Sequence, residues 1–185
     1  MQVNTNNNRQ SWLTLGLRTI GEEGLGSLKI NELCLKLNVT KGCFYHWFKS
    51  KGDYEEQILG YWKHRFTQQF INLAEVGADN KHKLSLLCEQ CIDSTLKGNR
   101  LEVEINAWAQ KNDTVKRFVH KVYKQRYTYL IKLLSGIYSD ENEIKRHALI
   151  LYSLVVGIDF FYRKLSRKEL ELIFSEYLVN PNISF

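Results

Sequence analysis

A single proline, Pro181, occurs in this 185-residue chain, and it lies near the end. Proline removes a backbone donor and clashes with the preceding turn, so a body free of it permits long uninterrupted helices. Apolar residues return at three- and four-residue spacing along most of the chain. No stretch sustains the period-two alternation of a half-buried strand. The two observations together predict an all-α fold.

Leu13, Leu17 and Ile20 share one helical stripe, with Gly21, Gly24 and Gly26 as stop signals. Ile30, Leu33, Cys34 and Leu37 follow the i, i+3, i+4, i+7 template of a short amphipathic helix. Asn38 follows directly and suits a left-handed turn position. Thr40 can cap the next helix through its hydroxyl, and Phe44 and Phe48 lie four apart on one face of it. Ser50 and Asp53 fit a capping box. From there Tyr54, Ile58, Tyr61, Trp62, Arg65, Phe66, Phe70 and Leu73 predict one helical stripe of over five turns, ended by Gly77. Helices are expected over 84–96, 101–110, 113–138, 140–164 and 166–179, some separated by polar turns such as GADN and KGNR.

The formal net charge is +6, compatible with a nucleic acid or an anionic surface as partner. The asparagine-rich start lacks the apolar core of a signal peptide. The longest apolar-rich stretch is interrupted by Ser153 and Asp159 and is shorter than the roughly 20 residues of a membrane span. A cytoplasmic protein with no membrane partner is expected. In that compartment Cys34, Cys43, Cys88 and Cys91 are read as free thiols. Cys88 and Cys91 have C-x-x-C spacing, but a zinc site needs a second pair or histidines at metal spacing. No metal and no cofactor are expected. His64, His82, His120 and His147 are scattered and read as surface residues. With no nucleophile–base set, paired carboxylates or phosphate loop, an enzyme is not expected.

The two short helices joined at Asn38-Val39 read as a helix-turn-helix, whose second helix presents its N-terminal end to a DNA major groove. Thr40, Lys41 and Gly42 form its first turn. Gly42 lets the backbone approach closely, and a helix N-terminus suits phosphate. Lys41 can reach a guanine acceptor. Tyr45 and His46 can donate to phosphate oxygens, while Phe44 and Phe48 turn inward.

The segment Leu37-Asn38-Val39-Thr40-Lys41-Gly42-Cys43-Phe44-Tyr45-His46-Trp47-Phe48, followed by Lys51, resembles the DNA-binding domain of the tetracycline-repressor-like (TetR) family. That family's text reads LGV-[ST]-x-[GP]-x-[LF]-Y-x-[HY]-F with a cation about three residues later. Members reading VTKGSFYHHF are the most similar. The resemblance covers about the first third of the chain. Beyond it there is a loose likeness around EINAWAQK, Glu104 to Lys111. It implies phosphate contacts at Thr40, Tyr45 and Lys51 and base-edge positions at Lys41 and Gly42, with Cys43, His46 and Trp47 on the same DNA-facing set. Asn38 replaces the usual turn glycine, Cys43 a serine or threonine, and Trp47 a histidine or tyrosine. Lys29 stands where a Ser or Thr cap is usual, so Ser27 is expected to cap instead.

The expected organisation is a helix-turn-helix domain over 9–52, joined by a long helix to an all-helical ligand-binding and dimerisation domain over 53–185. The stretch from Ala148 to Tyr162, ALILYSLVVGIDFFY, is apolar on nearly every side, so it must be covered on every side. A homodimer through it and the stretch from Ser166 to Val179 supplies that cover, with Gly157 permitting close helix approach. The two-fold axis then implies a pseudo-palindromic double-stranded DNA operator. The resemblance further implies a pocket for a small-molecule effector, for which Trp62, Phe66, Phe70, Asn106, Trp108, Tyr123 and Tyr127 are the candidates. The functional expectation is a repressor released from its operator by that effector. The competing expectation is a thiol-responsive regulator, by redox or metal, through Cys88 and Cys91.

Overall fold

The computed structural model describes residues 8–98, 100–161 and 163–178. Among these there is no strand, and the helices are α1 (Arg9–Glu23), α2 (Ile30–Leu37), α3 (Lys41–Trp47), α4 (Lys51–Lys63), α5 (Gln69–Ala74), α6 (Asn80–Leu96), α7 (Leu101–Lys111), α8 (Asp113–Ser135), α9 (Glu141–Ile158) and α10 (Arg167–Ile173). The all-α expectation holds. No described helix is long and apolar enough to cross a membrane.

The described residues divide into two compact units, 8–65 with 100–116, and 66–98 with 117–178. The first unit therefore extends past residue 52, because α4 and α7 share its core. Trp12, Ile20, Leu33, Phe44, Tyr54, Ile58, Trp62 and Ile105 are all fully buried there. α1 is central to it. Asn8 caps its start, accepting from the Ser11 N–H, and Gly24 ends it at φ 84°. Gly21 is buried inside the helix rather than beyond it. The Trp62 indole N–H donates to Glu102 Oε1 at 2.8 Å, tying α4 to α7.

A Cβ on Gly16 would lie 2.5 Å from the Tyr54 hydroxyl and 2.6 Å from Ile58 Cδ1. α1 and α4 approach so closely only because that side chain is missing. The Tyr54 hydroxyl uses the space to donate to the Trp12 carbonyl at 2.7 Å. Burial pushes the Tyr54 phenol well above the ordinary tyrosine range.

The expected five-turn helix after Ser50 is interrupted. His64–Gln68 forms a π-helical segment between α4 and α5. Such a segment inserts one extra residue per turn and rotates everything after it. The inward positions therefore pass from Tyr54, Ile58 and Trp62 to Thr67 and Ala74. Arg65 and Leu73, expected on the buried stripe, are exposed. Thr67 accepts from Arg126 Nε at 2.8 Å.

The core of the second unit gathers Ala74, Leu84, Cys88, Ile92, Leu130, Leu133, Leu134, Ala148, Leu151, Leu170 and Phe174 from α5, α6, α8, α9 and α10. His147 belongs inside it, contrary to the surface reading. It is stacked on Tyr138 with ring centroids 4.3 Å apart, and its Nδ1 lies 2.9 Å from the Tyr177 hydroxyl. Two aromatic partners make an imidazole a good core residue, which a lone histidine in a sequence does not reveal. α9 ends at Ile158, before the predicted boundary, and Phe160 and Phe161 follow in a turn and beyond it. α10 is shorter than expected and carries a full capping box, with Ser166 and Glu169 bonded reciprocally. Tyr162 and Val179, at the ends of the two expected dimer segments, lie outside the described residues.

Candidate nucleic-acid interface

α2 stops where Asn38 turns left-handed, at φ 55° and ψ 49°. Its N–H donates to the Leu35 carbonyl at 3.1 Å, and the Val39 N–H donates to the Cys34 carbonyl at 3.0 Å. These bonds satisfy the helix's last carbonyls and redirect the chain. Asparagine tolerates this conformation, so replacing the usual glycine leaves the turn intact.

α3 then begins with Thr40 at its N-cap in an extended conformation, but the Thr40 hydroxyl bonds no backbone N–H. It lies 3.7 Å from the Cys43 sulfur instead. The expected hydroxyl cap is therefore absent, and the hydroxyl stays at the surface. Ser27 does not cap α2 either. Its hydroxyl donates to the Glu23 carbonyl at 3.1 Å, and Lys29 is the uncapped N-cap residue.

One face of α3 is locked into the first unit. Phe44 lies 5.5 Å from Trp12, 5.1 Å from Phe48 and 5.2 Å from Tyr54, centroid to centroid. Phe48 lies 4.7 Å from Tyr54. Such tilted and edge-to-face contacts add to the area buried and fix ring orientation. The opposite face is open. Thr40, Lys41, Gly42, Tyr45 and His46 are exposed, while Cys43 and Trp47 are half-buried. Tyr45 is 55% exposed. The His46 and Trp47 rings meet edge to face at 4.7 Å.

Gly42 has no internal reason to be glycine. A Cβ there would meet only Thr40 Oγ1, at an ordinary 3.6 Å. The contrast with Gly16 is direct: one glycine is demanded by the core, and the other stands at an open surface.

α4 starts beside α3. Ser50 caps it, accepting from the Asp53 N–H at 3.1 Å. The Asp53 carboxylate accepts from the Lys49 N–H at 2.7 Å, rather than from the Ser50 N–H of the expected box. Hydrogen bonds from Gln57 and then from Lys49 hold that carboxyl below its ordinary pKa. Lys51 pairs with Glu55 at 3.3 Å, which offsets part of its charge. Lys49, not among the expected contacts, is exposed between the two helices and adds a cation there. Its place outside both helical patterns left it without a signal in the spacing.

The seven candidate effector residues fall in different units. Trp62, Asn106 and Trp108 lie in the first, and Phe66, Phe70, Tyr123 and Tyr127 in the second. Asn106 donates to the Glu102 carbonyl at 2.8 Å, and Trp62 is 0% exposed, so these two are engaged in the first unit's own packing. Phe66 and Phe70 meet at 6.1 Å, and Tyr123 and Tyr127 each contact Tyr152 at about 6 Å. None of the four cysteines forms a disulfide. Cys88 is buried, and burial pushes its thiol well above the usual range. Among the described residues no group of three or more His, Cys, Asp or Glu is placed to hold a metal.

No known family profile matches the sequence, and no curated protein matches it. Solved structures do. SCO4454, a TetR-family transcriptional regulator from Streptomyces coelicolor, superposes with a TM-score of 0.74 at 15% identity, covering 92% of this chain and 90% of that one. Reduced NemR from E. coli gives 0.72 at 21% identity, covering 95% and 99%. A regulator-type protein from Saccharomonospora viridis in complex with choline gives 0.71 at 15% identity, covering 93% and 97%. The chain has the TetR-family fold. Coverage near the full length of both partners extends that fold beyond the helix-turn-helix, into the second unit, where the sequence offered only a loose likeness. Within that fold, α2 and α3 are two short helices joined through the left-handed Asn38.

Proposed function

We propose that this protein is a TetR-like, DNA-binding transcriptional regulator, a homodimeric repressor released from a pseudo-palindromic operator by a small-molecule effector. The observation that carries the reading is the two-sidedness of α3. Buried Phe44 and Phe48 fix it, and Thr40, Lys41, Gly42, Tyr45 and His46 are left outside, with Thr40, Tyr45 and His46 touching near neighbours of their own helix. Hydroxyls and a cation of this kind suit phosphate oxygens, and Lys41 suits the guanine edge. Lys51 serves as a phosphate contact whose strength is tempered by Glu55. The half-buried Cys43 and Trp47 stand at the edge of this surface.

The dimer is supported by α9. Ala148 and Leu151 are buried in the core, whereas Leu149 is 59%, Ile150 40% and Val156 39% exposed. Leu149, Ser153, Val156 and Phe160 recur at helical spacing, and Gly157 has nothing within 4 Å of an added Cβ. Leu172 of α10 is likewise exposed. A wholly internal helix would show no such face, and a second copy covers it. For the effector, the rings of the second unit, Phe66, Phe70, Tyr123 and Tyr127, are the stronger part of the candidate set. The complex of the Saccharomonospora viridis protein with choline shows one protein of this fold holding a small cation. A coupling of about 1–3 kcal/mol between effector and operator would lower operator affinity roughly 5- to 150-fold.

The thiol-responsive alternative is weakened by Cys88, because a buried thiol with a raised pKa forms little reactive thiolate. Oxidant titration of DNA binding, with Cys88→Ser alongside, separates the two readings. Unchanged affinity on oxidation excludes the thiol mechanism. The DNA reading itself is tested by selecting bound duplexes from a random pool and repeating the band shift with Lys41→Ala and Tyr45→Ala. Loss of binding in both supports this face. Wild-type binding in both removes it.

A further inference from the structure

The positive charge of this chain is not spread evenly. α8 contains six Lys or Arg and a single Asp, a net of +5 beside the +6 of the whole chain. Part of this is engaged within the fold: Lys132 pairs with Glu75 at 3.3 Å, and Arg126 donates to the uncharged Thr67 hydroxyl. Lys121 and Lys124 are different. Both are exposed, and neither forms an ion pair with a described carboxylate. They border a groove of about 500 Å³, entirely within the second unit, lined by Ile71, Lys121, Lys124, Gln125, Thr128, Tyr129 and Lys132. Its apolar wall comes from half-buried Ile71 and the accessible edge of the largely buried Tyr129. The Lys132 ammonium lies 5.8 Å from the centre of that ring.

The geometry points to a binding site for a small amphiphilic anion, a carboxylate on a short apolar body. The volume falls within the roughly 300–1,000 Å³ of small-molecule sites. The apolar wall takes the body, and the ammonium groups of Lys121 and Lys124, with no carboxylate to satisfy them, take the head. A purely apolar ligand would leave the lysines unused. A simple inorganic anion would leave Ile71 and Tyr129 against water. Charge complementarity therefore selects a ligand with both features. The site uses none of the rings assigned above to the effector and does not depend on DNA binding.

Octanoate is the probe, with 1-octanol and inorganic phosphate as comparators, in calorimetric titrations of the full chain without DNA. Octanoate should bind saturably at one site per chain. Both comparators should bind at least about tenfold more weakly, a difference of about 1.4 kcal/mol. Lys121→Gln with Lys124→Gln should weaken octanoate about fivefold or more, and raised salt should weaken it in the wild type. Thr128→Glu, a second exposed change that introduces a carboxylate beside the lysines, should give the same loss. Lys145→Gln, on a different helix and paired with Glu141, should not. Each variant's thermal melt checks that it is folded. Absent octanoate binding in the wild type, unchanged binding in the folded lysine variant, or equal binding of 1-octanol would overturn the proposal.

Discussion

Gly16 and Gly42 differ in what an added side chain would meet. Gly16→Ala would drive a methyl into the Tyr54 hydroxyl and Ile58, an overpacking that costs about 1–3 kcal/mol. Gly42→Ala meets open space and removes backbone freedom from the unfolded chain. It should stabilise the protein by about 0.4–1 kcal/mol. Thermal or urea unfolding of the two variants should therefore move in opposite directions. Losses of stability in both would mean that Gly42, too, serves the core. The difference between these glycines was not legible in the sequence, since a glycine carries no sign of what its missing side chain would touch. The inward roles of Phe44 and Phe48 were legible, because i, i+4 spacing on a short helix leaves few alternatives.

A local signal that stands alone marks an element in the sequence, whereas a change of register within a helix leaves no such mark. The Asn38 turn and the start of α4 at Ser50 follow from residue type at single positions. The π segment at His64–Gln68 does not, because apolar spacing on either side of it still looks helical, and a one-residue offset hides in a long stripe. Hence the stripe points to Leu73, which is exposed, and passes over Thr67, which is buried. The close of that helix is held by charge: Glu75 is paired with Lys83, and with Lys132 at 3.3 Å. Hydrogen bonds from Lys83, then Lys132, lower its carboxyl to about 2. A carboxyl depressed in the folded state stabilises above its unfolded pKa and loses that contribution as pH falls through the folded value. The contribution should thus be complete above about pH 4.5 and fade toward about pH 2. Glu75→Gln should flatten this part of the acid unfolding curve, read by circular dichroism. An unchanged curve would show that the ion pairs contribute nothing.

At the scale of the whole molecule, α9 presents a face that one chain leaves uncovered. Leu149→Glu with Phe160→Glu places two carboxylates on it. Sedimentation should show the wild type as a dimer and this variant as a folded monomer. A wild-type monomer at micromolar concentration would remove the two-fold operator from the account. The apolar run that suggested this face was legible as composition. Which of its residues turn outward became visible only once Ala148 and Leu151 were seen in the core. The effector rings were the least legible, because aromatic type does not say to which unit a side chain belongs.

The central claim is that the open face of α3 lies against DNA, and Gly42→Ala tests it with the least disturbance to the fold. The measurement is the affinity of wild type and Gly42→Ala for one selected duplex, at fixed salt, by fluorescence anisotropy. The account predicts a folded and slightly more stable variant whose affinity falls by about tenfold or more, about 1.4 kcal/mol. Wild-type affinity in that folded variant would contradict it.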